Sequence, residues 1–202
     1  MVIEKRTSSA LRKVRFDGGS LVLNLTATVG RRGAGAAHRI ERLCDVDALG
    51  RWCTGVGMEV APEVDRERLL AELRELREDA WEVLSAVVHE VPVGTSTLRR
   101  LEEWASAPVP LPRLVSTSRG PEARTPALGT KGICSRAARD LLFILAEPDA
   151  RSRLRECASD DCRMIYLVPL GARERRWCSM SQCGNRAKAA AHRARATQAT
   201  GS

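Results

Sequence analysis

The sequence predicts a mainly α-helical chain that closes on a small four-cysteine module, and three observations predict it. Long segments repeat apolar residues at three- and four-residue spacing, one proline-rich stretch interrupts them, and two cysteine pairs of identical spacing stand near the C-terminal end. A chain of 202 residues can bury one sizeable core and still append a small module. The densest apolar run, Leu141 to Ala146, falls far short of the roughly 20 residues of a membrane span and is expected within a core helix.

Residues 1–19 read as a lead-in closed by Asp17-Gly18-Gly19, and residues 20–147 as a helical domain. Ser20 to Gly30 is ambiguous: its β-branched residues favour a strand, while Ser20 as a cap permits a helix. Glycine and arginine mark a loop from Gly30 to Gly35. Asp45 precedes Leu49 and Trp52 and predicts a short capped helix. The clearest helix spans Asp65 to His89, with Leu69, Leu73, Leu76, Ala80, Val83, Leu84 and Val87 on one stripe, and Pro92 ends it. Thr95 to Ala105 restarts a helix with Leu98, Leu101 and Trp104 on one side. Between Ala107 and Thr130, five prolines exclude a regular helix, and Arg113-Leu-Val-Ser-Thr fits an edge strand of a small hairpin. Lys131 to Glu147 returns to helix, packing Ala138, Leu141, Leu142 and Leu145, until Pro148-Asp149 stops it.

Cys157-Ala-Ser-Asp-Asp-Cys162 and Cys178-Ser-Met-Ser-Gln-Cys183 each set four residues between two cysteines, and fifteen residues separate the pairs. Four thiolates so arranged suit one tetrahedral Zn²⁺, because each short loop brings two sulfurs to one metal and the intervening segment brings the second pair across. Disulfides and four buried free thiols are the competing readings. The start, Met1 to Ala10, lacks the apolar stretch of a signal peptide, which argues for a reducing, cytoplasmic setting. Buried thiols sit among Leu and Val rather than among the Arg, Asp and Ser that flank these four. Residues 150–195 therefore read as one structural zinc module with Cys157, Cys162, Cys178 and Cys183 as ligands, followed by a tail at 196–202. Within it, Arg163 to Val168 is β-prone, Pro169-Leu-Gly171 is a turn, and Arg173 to Trp177 is expected to return as the second strand. Asn185 is expected to cap a helix running through Arg195. Knuckle, hairpin and helix together make a treble-clef-like arrangement. The other thiols, Cys44, Cys53 and Cys134, are expected in the core.

Charge is unevenly spread. Residues 151–202 hold eleven Lys/Arg against four Asp/Glu, or +7, of the chain's +8. Concentrated positive charge on a small module is the footprint of a polyanion binder, nucleic acid above all. On the last helix, Lys188, His192 and Arg195 recur at helical spacing, with Arg186 and Arg193 flanking, and such a face can dock on phosphates. The competing reading is a solvated charged face.

The stretch Trp177-Cys-Ser-Met-Ser-Gln-Cys-Gly-Asn-Arg-Ala-Lys188, with Cys157 and Cys162 upstream, resembles the CGNR zinc finger, whose signature is Cys183, Gly184, Asn185 and Arg186. The helical region is similar to the ABATE domain at Leu21-Val-Leu-Asn-Leu and at Asp45-x-x-Ala-Leu-x-x-Trp52. It departs from the family pattern at Asn24-Leu-Thr-Ala-Thr, where the family has an acidic residue followed by Val-Asn-Thr. A second departure is Val168-Pro-Leu-Gly-Ala-Arg, where the family has an Asp-x-Ser-Arg turn. The resemblance implies a bacterial, cytoplasmic and nucleoid-associated transcription regulator whose helical domain senses or dimerises while the zinc end meets DNA. The alternative is a zinc-stabilised interaction module that binds RNA polymerase or another acidic partner. In either case Gly184 would let the backbone pass close to the metal, Arg186 would anchor the knuckle or touch phosphate, and Trp177 would pack on the knuckle.

No catalytic constellation is expected. His38 and His89 have no nucleophile motif beside them, and Gly30, Gly33 and Gly35 lack the Lys-Ser/Thr ending of a phosphate loop. A zinc ion held by four cysteines leaves no position for an activated water.

Overall fold

The computed structural model describes residues 13–173 and 175–199, with residues 194–199 described by their backbone alone. Ser20 resolves the first ambiguity. Its Oγ accepts the Leu23 amide at 3.4 Å and starts α1 (Leu21–Thr26), after which β1 (Val29–Gly30) pairs antiparallel with β2 (Ile40–Glu41). Helix α2 (Val46–Gly55) begins where Asp45 Oδ1 takes the Ala48 amide at 2.7 Å. Helix α3 (Arg66–His89) is capped by Asp65 and ends on Glu90 in the left-handed region, with Pro92 just beyond.

Helix α4 (Thr95–Ser106) turns Thr97, Leu101 and Ala105 inward, and not Leu98, which is 42% exposed. The inward face is fixed by polar contacts: Arg100 clamps Asp79 of α3 at 2.8 and 2.6 Å, and Glu82 Oε2 accepts the Thr97 hydroxyl. A two-residue turn joins β3 (Arg113–Thr117) to β4 (Gly120–Arg124) in the expected small hairpin. Helix α5 (Thr130–Ala146) buries Ile133, Cys134, Ala137, Ala138, Leu141 and Ile144; Leu142 points outward, contrary to expectation, because the stripe continues from Leu141 to Ile144. Pro148 opens a further short helix, α6 (Pro148–Ser152), as its first residue.

The core of the helical part packs Leu25, Leu49, Trp52, Leu69, Leu73 and Leu76 against Ile133, Cys134 and Ala138. A second cluster joins Val22, Leu23, Val83, Leu84 and Leu141 to Leu154 and Ile165, which belong to the cysteine end. These two residues lie on β5 (Leu154–Glu156) and β6 (Ile165–Leu167), an antiparallel pair. The expected partner of the 163–168 strand was Arg173–Trp177, and that expectation fails. Leu154 and Ile165 complete an apolar wall under α1, which a segment with Arg173, Arg175 and Arg176 could not; Glu174 lies outside the described residues. Cys44 is exposed, not buried, with its Sγ 3.2 Å from Asp45 Oδ2. Burial pushes the Cys53 and Cys134 thiols up to about 11 and about 12, as inert core thiols.

No helix among the described residues is long and apolar enough to cross a membrane.

Candidate metal centre and basic helix

The first cysteine pair is the turn of the β5–β6 hairpin. Cys157 follows β5 and donates its amide to the Met164 carbonyl at 2.9 Å, and the Cys162 amide closes back on the Ser159 carbonyl at 2.7 Å. Arg163 takes φ 50° to leave this tight loop. Strand β6 is buried on both sides: Ile165 joins the helical core, while Met164 and Tyr166 face the cysteines. The second pair is set by a wide π-turn, Met180–Gly184, that runs directly into α7 (Asn185–Ala199). Asn185 is therefore already helical and serves as no cap, the preceding turn having wound the backbone. Helix α7 continues to Ala199, four residues beyond the expected end at Arg195. Gly184 is needed for space: a Cβ there would lie 2.7 Å from Met180 Sδ and 3.3 Å from Trp177 Cδ1.

All four cysteines are buried, and their Sγ atoms lie within 4.8 Å of one another. Cys178 Sγ stands 3.7 Å from that of Cys162 and 3.6 Å from that of Cys183. Four sulfurs at Zn–S bonds of roughly 2.3 Å on a tetrahedron are separated by about 3.8 Å. The donor set and spacing thus fit one zinc ion. Packed this closely, the thiols do not titrate alike. Contact with Cys157 first, then with the other cysteines, pushes Cys162 up and Cys183 down, the latter helped by Arg186. Cys178 is also pushed up, chiefly by Cys157, and Cys157 falls to about 7 through hydrogen bonds with Cys162 and Cys178. Sulfurs that compete for protons in one pocket are relieved by a central cation.

Arginines surround the cluster. Arg15 Nη1 donates to Cys178 Sγ at 3.4 Å and Arg186 Nη2 to Cys183 Sγ at 3.2 Å, while Arg42 lies alongside, buried beneath Gly30. Burial and the neighbouring Arg15 lower Arg42 to about 10. Tyr166 donates its hydroxyl to the Arg175 carbonyl, and the Arg175 guanidinium stacks 4.5 Å over its ring. Burial raises that phenol to about 12.

The loop from Arg31 to Gly33 docks on the first knuckle. The Arg32 amide donates to the Cys162 carbonyl at 3.3 Å, the Gly33 amide to the Asp161 carbonyl at 3.2 Å, and Arg31 pairs with Asp161 at 2.9 Å. A Cβ on Gly33 would lie 1.8 Å from the Asp160 carbonyl oxygen. The Arg32 guanidinium reaches Glu78 at 2.7 Å and sits 4.7 Å over the Trp81 ring, with the Arg163 guanidinium 5.9 Å from the same ring. His89 meets Glu156 at 3.1 Å on the same seam. Sequence reasoning missed Arg15, Arg42 and Gly33. The only local signal was a glycine-and-arginine loop with no phosphate-loop ending.

Helix α7 carries Arg186, Lys188, His192, Arg193 and Arg195 and no carboxylate. Lys188, His192 and Arg193 are exposed; the Arg195 side chain lies outside the described residues. A groove of about 400 Å³ between α7 and the first knuckle is lined by Asp160, Asp161, Trp177, Arg186 and Arg193. Arg186 is thus held at the cluster, whereas Lys188 and His192 point to solvent.

Two family models match the chain: the CGNR zinc finger over residues 153–196, and ABATE, described as "Putative stress-induced transcription regulator", over residues 19–148. Among curated proteins, none matches.

Proposed function

We propose that this chain, which belongs to the ABATE family and carries a CGNR zinc finger at its C-terminal end, is a DNA-binding transcription regulator with one structural zinc ion. Cys157, Cys162, Cys178 and Cys183 are the ligands, and with all four positions taken by thiolate the ion serves folding. Residues 20–147 form the part that senses a signal or dimerises, and residues 150–195 the part that meets the nucleoid.

The observation that carries the DNA reading is α7. A helix exposed on every described side chain from Lys188 to Arg193 and free of carboxylates is anchored at its first turn, where Arg186 meets Cys183 of the knuckle. Such a helix, held rigid at one end and cationic along its length, is suited to phosphates and a groove. Lys188, His192, Arg193 and Arg195 make the contacts, and Arg186 orients them through Cys183.

Fluorescence anisotropy of the full chain with unrelated duplexes, titrated with salt, tests this. A steep fall of affinity with salt supports it, since each neutralised phosphate releases a counterion. No duplex binding at low salt, with capture of RNA polymerase or another acidic protein instead, overturns it in favour of a protein-interaction module.

A further inference from the structure

Arg42 is a buried cation without a carboxylate. The residue is 4% exposed, its Nη1 donates to the Ala27 carbonyl at 3.1 Å, its Nε has no partner, and it enters no ion pair among the described residues. Glu41, next to it in sequence, is taken by Arg77 at 2.8 Å. Arg15, 7% exposed, has Asp17 at 2.5 Å, so two buried guanidiniums share one nearby carboxylate. A buried guanidinium is strongly disfavoured unless a negative group stands close.

The cysteine cluster supplies that negative group. Arg42 shares a water-sized cavity of about 20 Å³ with Arg15, Arg186, Cys162 and Cys183. Gly30 makes room for it: a Cβ there would lie 2.4 Å from Arg42 Nη1. Four thiolates around a divalent zinc ion leave a net charge of −2. With Asp17, that dianion balances the three guanidiniums of Arg15, Arg42 and Arg186; four neutral thiols would not.

We infer that Arg15 and Arg42, supplied from outside the finger, are positioning residues that complete its zinc site by giving the thiolate dianion its cationic surroundings. Metal affinity is then a property of the whole chain and not of residues 150–195 alone. The inference rests on the zinc reading above and concerns residues that reading does not use.

The test is zinc competition against a chelating dye on the full chain, paired with melts of the zinc-loaded and chelator-treated forms. Arg42→Met is expected to weaken zinc by about tenfold, the usual effect of removing a partner of the ligands, and Arg42→Lys by less. The melts discriminate the cause. Arg42→Met lowers the melting temperature of the loaded protein but leaves or raises that of the chelated one, where the cation has lost its counter-charge. An arginine that merely fills space lowers both alike. Gly30→Ala keeps every charge yet occupies the guanidinium's place, and it too weakens zinc. Zinc affinity within twofold of the parent for both variants, or an equal loss in both melts, overturns the inference while leaving the ligands intact. A parent chain that binds no zinc overturns the ligand reading, and this inference with it.

Discussion

The arginines at the cysteine cluster and the basic residues of α7 are the same chemistry in two settings. Arg15 and Arg42 are buried, reach or border sulfur, and come from the N-terminal part of the chain; Lys188, His192 and Arg193 are exposed on a helix that projects from the last ligand. A net charge concentrated in residues 151–202 therefore does not say by itself which cations are available to a partner. Burial sorts them. On the proposed reading the buried set surrounds the zinc–thiolate cluster, and the exposed set faces an external polyanion. Arg186 stands between the two, its guanidinium on Cys183 and its backbone in α7.

The largest effect expected is on the internal side. Cys162→Ser should lose zinc and destabilise the chain by at least about 4 kcal/mol at a metal concentration a thousandfold above the dissociation constant. Because Leu154 and Ile165 share a core with Val22, Leu23 and Leu141, the loss should reach the helices. Elemental analysis with a circular-dichroism melt checks both parts. Full zinc occupancy, or an unshifted helical melt, would break the contrast at its metal end.

Much of this was legible in the sequence because it is local. Asp45 caps the helix that its position predicted, Asp65 stands at the start expected of α3, and the Leu stripe of α3 is buried where its period places it, whereas Ser20 settles as helix a segment that also read as a strand. The four cysteines meet because each pair is short and the Ala158 amide, donated to the Arg176 carbonyl at 2.9 Å, holds the second pair beside the first. What was not legible depends on partners far away in the chain. Nothing near Leu154 announces that it pairs with Leu167, since that choice is made by the apolar surface under α1. Arg42 reads as one surface arginine among many until Gly30 and the cysteines are folded around it. Leu98 and Leu142 show the same limit: each fits its helical period, yet polar contacts or the neighbouring stripe turn it outward.

A smaller effect tests the seam between the two parts. Gly33→Ala should cost about 1–3 kcal/mol, the usual price of overpacking, since its Cβ would collide with the Asp160 carbonyl and lift the Arg32 and Gly33 amides from the knuckle. Gly35→Ala meets no atom within 4 Å, although its φ of 81° carries backbone strain of its own. Urea melts of the loaded protein check the stability loss, and zinc competition should show affinity falling in Gly33→Ala and unchanged in Gly35→Ala. Equal zinc affinities would mean that the seam does not support the metal site.

The smallest effect on stability is expected on the external side. Lys188→Ala should leave zinc affinity and the melt within error of the parent, because the side chain is exposed. A loss of zinc in that variant would erase the division between internal and external cations.

The most direct measurement is the salt slope of duplex DNA binding by the parent and by the variant with Lys188, Arg193 and Arg195 all changed to Ala, at equal zinc content. The account predicts one zinc per chain in both proteins and a slope shallower by roughly one unit for each lost phosphate contact. Equal slopes and equal affinities in the two proteins, or no binding by either, would contradict it.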